Sequence, residues 1–555
     1  MNNEMIKVKC LNLGKSAEVP AGSTLDEVAK QLDIKLKYSI LGAAVNNKYV
    51  GLTYRIYRPK QILFFDITHH EGLRTYTRTL ILMLYAAVRE LMPEAKLTVL
   101  HSVSNGIYCE LHGPNGDILT TAETEAIKAR MHEFQQQAIP IIPTEEETAE
   151  AAKEFEHLPA MADLIRQHSD IYTTVHHMGK HSAVMYSALA PNTRIIDVFD
   201  LVPYYKGMLL QLPNSSNPEQ VSEMIRQDKM FATFVEFDRW QKLMHVQRLA
   251  DLNSIIEKNR GREIIQVAEA LHEKKISDIA AMIAERRESV KIVLIAGPSS
   301  SGKTTFGKRL AVHLMVNGIN PVNLSLDNYF VNREDTPRDE NGDYDFEAVE
   351  AIDVKLFNEQ LLALTHGEEV EIPKFDFTTG SRTYDGERLK MGENHVLIIE
   401  GTHGLTPQLT YLIPKDVKFG IYVCPLVSIN FDSLTRINTT DNRLIRRIVR
   451  DYKYRGYSAE ETIARWPSVR RGEKLHIYPN QEQADVVFNS ALLYELTVLK
   501  AEAVPVLLQV APNSPHYAEA RRLLRFLSFF RSLSGDTIPP TSIMREFVGG
   551  SSFKY

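Results

Sequence analysis

The chain has 555 residues, 44% hydrophobic and 24% charged, the balance of a globular protein and a length that calls for about three to four domains. Its 64 Lys and Arg against 70 Asp and Glu leave a formal charge of −6, which excludes a global attraction to nucleic acid or anionic membrane. Three scattered cysteines, Cys10, Cys109 and Cys424, exclude a disulfide framework and a multi-cysteine zinc knuckle, and fit a reducing, cytoplasmic setting.

In chain order, the start Met1-Asn-Asn-Glu-Met-Ile-Lys lacks the basic and apolar regions of a signal peptide. Residues 1–68 alternate like strands at 6–11 and 63–67. Between them, Ser23 or Thr24 can cap a short helix that turns Leu25, Val28, Ala29 and Leu32 inward, so an α+β unit is expected. Residues 69–230 open with a helix over 73–91 that Pro93 stops. The longest apolar stretch, 80–88, lies in it and falls far short of a bilayer span, so no membrane partner is expected. Strands follow at 96–99 and 106–111, then a helix at 122–137, and Thr144 with its three glutamates reads as the capped start of another helix. His177 and His181 have the spacing of a metal-ligand pair. Gly179 interrupts any helix between them, and no Cys or carboxylate is near in sequence, so polar loop histidines are the simpler reading than zinc. His69-His70 reads as a junction. Residues 231–287 form a packed helical connector, with Leu243, Val246, Leu249, Leu252 and Ile256 at helical spacing.

Residues 288–500 carry the chemistry. The β run Lys291-Ile-Val-Leu-Ile-Ala296 stops at Gly297-Pro-Ser-Ser-Ser-Gly-Lys-Thr304, and a helix follows: a complete P-loop in its proper setting. Gly297, Ser299, Ser300, Ser301 and Gly302 wrap a phosphate with their amides, and Thr305 continues the cradle into the helix. Lys303 supplies a positive charge, and Thr304 offers a hydroxyl to Mg²⁺. Four hydrophobic β runs alternate with helical stretches, so an α/β unit with a parallel sheet is expected. Two runs end in acids, Asp327 and Glu400, at the edge where such sheets bind ligands. Thr304, Asp327 and Glu400 thus form a candidate metal set, and Asp327 either holds Mg²⁺ water or takes a proton from an attacking hydroxyl. Arg443, Arg446, Arg447 and Arg450 share one helical face and repel one another unless an anion is supplied. A lid that closes over ATP and stabilises charge on the transferring phosphoryl fits; the plainer alternative is a solvated basic face. Residues 501–555 read as a helical extension whose final segment, from Arg545, carries apolar residues and glycines suited to docking.

The motif order, from the P-loop through Asp327-Asn-Tyr-Phe, Asp345-Phe-Glu-Ala-Val-Glu-Ala-Ile-Asp353, Ile372-Pro-Lys-Phe-Asp-Phe-Thr-Thr-Gly-Ser-Arg382 and Ile399-Glu-Gly to Arg446-Arg447-x-x-Arg450-Asp451-x-x-x-Arg455-Gly456, resembles the uridine/cytidine kinase branch of the phosphoribulokinase–uridine kinase family. The resemblance implies a kinase that uses ATP or GTP with Mg²⁺ and takes a small nucleoside-like substrate. Asp327 would be the general base, with Lys303, Arg447 and Arg450 in the catalytic set. Glu347, Phe375, Phe377, Arg382 and Arg455 would shape the substrate site. Where such kinases carry Tyr and His, this chain has Phe375 and Gly380, and Glu347 stands for an Asp, so the base-reading groups depart from the pattern.

Residues 4–68 resemble a TGS β-grasp domain, and residues 70–230 the editing-type domain of threonyl- and alanyl-tRNA synthetases. That domain's His-x-x-x-His reads Tyr76-Thr-Arg-Thr-Leu80 here, which implies a lost zinc site. A second functional reading follows: a nucleotide-driven switch whose synthetase-like front binds RNA. Assembly as a homo-oligomer is expected.

Overall fold

The structure, a computed structural model, describes residues 4–554 except 114, 115, 117, 169, 215, 216, 339–341, 343, 347, 377 and 378. Glu347 and Phe377 therefore lie outside the described residues.

The first body is a five-stranded sheet built from Met5–Cys10, Lys15–Pro20, Gly42–Val45, Tyr49–Val50 and Lys60–Phe65. One short helix, Leu25–Gln31, starts at Thr24 with a reciprocal cap: Glu27 N donates to Thr24 Oγ1 at 3.2 Å, and Thr24 N donates to Glu27 Oε2 at 2.7 Å. Its inner residues Leu25, Val28 and Ala29 pack on Val8 and Ile62.

In the second body, helix His70–Leu91 is buried on all sides from residue 80 to 88. The apolar run is therefore a core helix, packed against the antiparallel sheet of Lys96–Val103, Gly106–His112, Gly207–Gln211 and Asp200–Tyr204. The expectation of a helix from Thr144 is corrected. Ile141–Glu147 is a strand paired in register with Tyr172–Met178, and the helix begins only at Thr148. Cross-strand pairing satisfies the backbone there and overrides a local capping signature, while the Thr144 hydroxyl meets His177 Nε2 at 2.7 Å. The connector is helical and consists of three helices, Asp228–Met244, Leu249–Glu257 and Gly261–Glu285, so the apolar positions from Leu243 to Ile256 are shared between two of them. His245 ends the first in a left-handed conformation, with φ of 54°, and leaves Leu243 outside.

A further sheet has five parallel strands: β1 (Ile292–Ala296), β2 (Asn320–Ser325), β3 (His395–Glu400), β4 (Lys418–Cys424) and β5 (Val486–Asn489). Their order is β2-β3-β1-β4-β5. The short β5 had no sequence signal of its own. Helices α1 (Lys303–Val316), α2 (Val354–Thr365) and α3 (Thr439–Arg455) pack on the sheet. On β1, Val293 and Ile295 face Phe306 and Leu310 of α1, while Ile292 and Leu294 face Phe357 and Leu361 of α2. Both faces of the sheet are thus covered.

The loop between β4 and α3 reaches into the second body. Asn430 Nδ2 donates to Val99 O at 2.9 Å, Val99 N donates to Ser433 O at 2.8 Å, and the Tyr186 hydroxyl donates to Asp432 Oδ2 at 2.7 Å. Leu434 is fully buried in that body's core. The segment from Arg545 docks as expected through the fully buried Phe547, and Ile538, Ile543 and Met544 just before it are buried as well. No helix among the described residues is long and apolar enough to cross a membrane.

Candidate active site

β1 delivers the chain at the carboxyl edge of the sheet into the loop at Gly297. A Cβ there would stand 2.1 Å from the Val423 carbonyl oxygen on β4, so only glycine lets the strand turn at this point. Gly302, with φ of 82°, forms the left-handed N-cap of α1. Lys303 folds back over the loop: its Nζ donates to Gly297 O at 2.9 Å and Pro298 O at 3.2 Å. Burial lowers its pKa, and the carboxylates of Glu400, Glu546 and Asp327 oppose that shift.

Thr304 Oγ1 donates to both oxygens of Glu400, at 2.9 and 3.0 Å. Burial pushes the Glu400 carboxyl up to about 7; the Lys303 charge and the Thr304 hydroxyl resist, while Asp327 and Glu546 add to the rise. Asp327 follows β2 in a single 3₁₀ turn, Leu326–Tyr329. Its side chain is open to water but stands in a cleft walled by protein. That crowding raises its pKa, against the pull of Lys303 and Arg455. Thr304, Glu400 and Asp327 offer oxygen donors alone, which suits Mg²⁺, an ion that keeps water and phosphate oxygens as its other ligands. Among the described residues no group of three or more His, Cys, Asp or Glu stands ready as a metal cage.

α3 differs from the expectation of a hinged lid with unmatched charge. Leu444, Ile445, Ile448 and Val449 sit in the core, and Arg443 and Arg446 are fully buried. The counter-charge is the protein's own. Arg443 forms a two-pronged pair with Glu473 and donates from Nε to Ser299 O at 3.0 Å. Arg446 pairs with Glu495 and donates to Ser490 O at 2.9 Å and Ser300 O at 3.4 Å. The first half of α3 is thus a fixed wall of the loop. Arg447, Arg450 and Arg455 gather around Asp451 in the second half. Arg447 Nη1 also donates to Ser299 Oγ at 2.8 Å, and Arg455 is close enough to act on Asp327. Glu473, Glu495, Asp451 and Glu546 escaped the sequence reading as site residues, and only the acid Asp451 stood inside a motif that could have flagged it.

On the acceptor side, Phe375 stands on strand Lys374–Asp376 with its ring centroid 5.5 Å from that of Phe330. Arg382 Nη1 donates to Asp353 Oδ2 at 2.9 Å. Gly380 has φ of 72°, and a Cβ there would meet the Arg333 side chain at 2.7 to 2.9 Å. Arg333 thus lies across the position where pyrimidine kinases carry a histidine.

In the second body, the Tyr76 hydroxyl donates to Val198 O at 3.0 Å and accepts from Val198 N at 2.8 Å, and Leu80 is buried. His177 contacts Thr144, Ser182 and Glu146, and His181 contacts Glu90; both stand on paired strands, Tyr172–Met178 and His181–Ala183, and not in the loop expected for them.

A family model described as the Phosphoribulokinase / Uridine kinase family matches residues 292–493. A uridine kinase of Staphylococcus haemolyticus is 30% identical over 197 residues, 35% of this chain and 86% of its own length. A threonine–tRNA ligase of Protochlamydia amoebophila is 28% identical over 173 residues in the N-terminal region, 30% of this chain and 26% of its own. Among solved structures, a possible uridine kinase from Bacillus stearothermophilus is 20% identical with a TM-score of 0.26, covering 39% of this chain and 98% of that one.

Proposed function

This chain belongs to the phosphoribulokinase/uridine kinase family and is a phosphotransferase acting on an alcohol group, and we propose that it moves the γ-phosphoryl of ATP to the 5′-hydroxyl of a nucleoside. The observation that carries this reading is Asp327. It is an accessible carboxylate at the carboxyl edge of the sheet, within the electrostatic reach of both Lys303 and Arg455. In the proposed roles, Asp327 accepts the proton of the attacking hydroxyl. The loop amides from Ser299 to Thr305 hold the donor phosphates, and Lys303 leaves its two carbonyl partners to meet them. Arg447, Arg450 and Arg455 bring positive charge to the phosphoryl in flight. Mg²⁺, held by Thr304 and Glu400 with Asp327 nearby, would neutralise charge on the donor phosphates.

Phe375, Arg382 and the Arg333–Gly380 crossing support a nucleoside-sized acceptor whose base is read by groups other than the usual phenol and imidazole. The division of the chain near residues 68, 230, 287 and 500 belongs to the same proposal, with the front bodies as a support and regulator of the kinase unit. The test is a panel of nucleosides with ATP and with GTP, read by mass spectrometry. Asp327→Ala is expected to lower turnover about a thousandfold while nucleotide affinity stays within about twofold. Normal turnover in that variant would refute the assigned base.

A further inference from the structure

The segment from Ile538 to Lys554 lies on the phosphate loop, and no step of the proposed transfer uses it. Its root is fixed. The Ser542 hydroxyl donates to Glu269 Oε1 at 2.5 Å, and Ile543 and Met544 are fully buried. From that root the chain crosses the first turn of α1. Ile543 Cγ2 stands 2.6 Å from the point a Cβ on Gly302 would occupy, so it rests on bare loop backbone. Three residues on, Glu546 Oε2 accepts the Thr305 hydroxyl at 2.7 Å. Beyond it, Lys308 of α1 donates to the Lys554 carbonyl, while on the far side Lys453 Nζ of α3 donates to Val548 O at 2.6 Å. Phe547 lies under the guanidinium of Arg446, 5.0 Å from its ring centroid, the same Arg446 that reaches Ser300 O. The segment is thus clamped between the P-loop helix and the arginine helix.

The chemistry of the contact is that of a ligand. The first turn of α1 offers the positive end of the helix dipole and the Thr305 hydroxyl, both suited to an anion. Glu546 supplies one. Its charge acts on Lys303 and on Glu400, at the heart of the site. A triphosphate entering here meets a carboxylate on the Thr305 hydroxyl and must displace or repel it.

We infer that Glu546 is a tethered competitor of the donor: its carboxylate holds the Thr305 hydroxyl in place of a phosphate oxygen and weakens nucleotide binding until the segment is drawn off. This rests on the reading of the P-loop as a nucleotide site, but not on any acceptor. The neutral, same-shaped Glu546→Gln keeps the packing of Ile543, Met544 and Phe547 and removes only the charge.

Titration calorimetry of the full chain with Mg·ATP, and separately with inorganic tripolyphosphate, is expected to show about tenfold tighter binding in Glu546→Gln than in the natural chain. Hydrogen exchange of residues 545–554, beyond the fixed root, is expected to rise in the natural chain when Mg·ATP is added. Unchanged or weaker binding in Glu546→Gln overturns the inference, and weaker binding would make Glu546 a donor-site residue instead. Unchanged exchange alongside tighter binding overturns the drawing-off of the segment and leaves only the side chain to move. Absence of nucleotide binding in both proteins overturns the P-loop reading and this inference together, whereas binding that the variant does not improve overturns this inference alone.

Discussion

Gly297 and His101 show how single side chains are fixed by what stands next to them. A methyl group at 297 would meet the backbone carbonyl of Val423, which belongs to β4 and cannot give way without breaking its parallel pairing with β1. Gly297→Ala is expected to cost about 1–3 kcal/mol by chemical denaturation and to abolish nucleotide binding. His101 lies flat on Phe234, ring centroids 3.9 Å apart, and burial pulls its pKa down to about 3. The unfolded chain binds a proton there near pH 6.5, and the fold does so only near 3. The neutral ring therefore supports the fold fully above about pH 6.5, and that support drains away as the pH falls toward 3. His101→Phe keeps the stack and removes the proton. The stability difference between pH 7.5 and pH 5 is expected to shrink by about 2 kcal/mol, and an unaltered difference would mean that His101 is charged in the fold. The P-loop was legible because its residues are contiguous and each has one job. Glu473 and Glu546 were not, because each meets the loop from far along the chain, and no local pattern marks a carboxylate that arrives through packing.

At the scale of elements, α3 is held by two different kinds of charge. Arg443 and Arg446 answer Glu473 and Glu495 inside the core, whereas Arg447, Arg450 and Arg455 share Asp451 at the cleft. Arg443→Met strands a buried Glu473 and lets go of Ser299 O. It is expected to cost about 3–5 kcal/mol in denaturation and to weaken nucleotide binding in parallel. Arg450→Met, nearer the cleft, is expected to lower turnover with a far smaller loss of stability. Equal stability losses in the two variants would contradict the division of the helix. The helical spacing of these arginines was readable, and so was the need for negative charge; which acids supply it depends on the sheet bringing 473 and 495 beside 443 and 446. The strand at Ile141–Glu147 makes the same point from the other side. A cap-like Thr144 and three glutamates favour a helix locally, and the long-range pairing with Tyr172–Met178 decides against it.

Across the whole molecule, the front bodies and the sheet are joined by a half-buried charge network as well as by apolar contact. Arg74, from the long helix of the second body, meets Asp441 of α3 at 3.2 Å and Glu519 at 3.1 Å, and Arg522 closes the group on Asp441 at 2.8 Å. Arg74→Met is expected to remove about 3 kcal/mol and to split a single thermal transition into two, as seen by calorimetry. If the two halves already melt separately in the natural chain, the network does not couple them. The kinship of the two halves to different families was readable in sequence, but this junction was not. Its residues carry no motif, and they acquire meaning only when three distant segments converge. The loop that follows β4 has a mechanical consequence. Leu434 is anchored in one body, and a few residues later α3 begins, whose Arg443 and Arg446 grip the carbonyls of Ser299 and Ser300. In a close-packed interior this stretch has little slack. A load applied to the synthetase-like body is therefore carried along it as along a short rod, and the first backbone to feel the strain at the far end is the cradle of the phosphates.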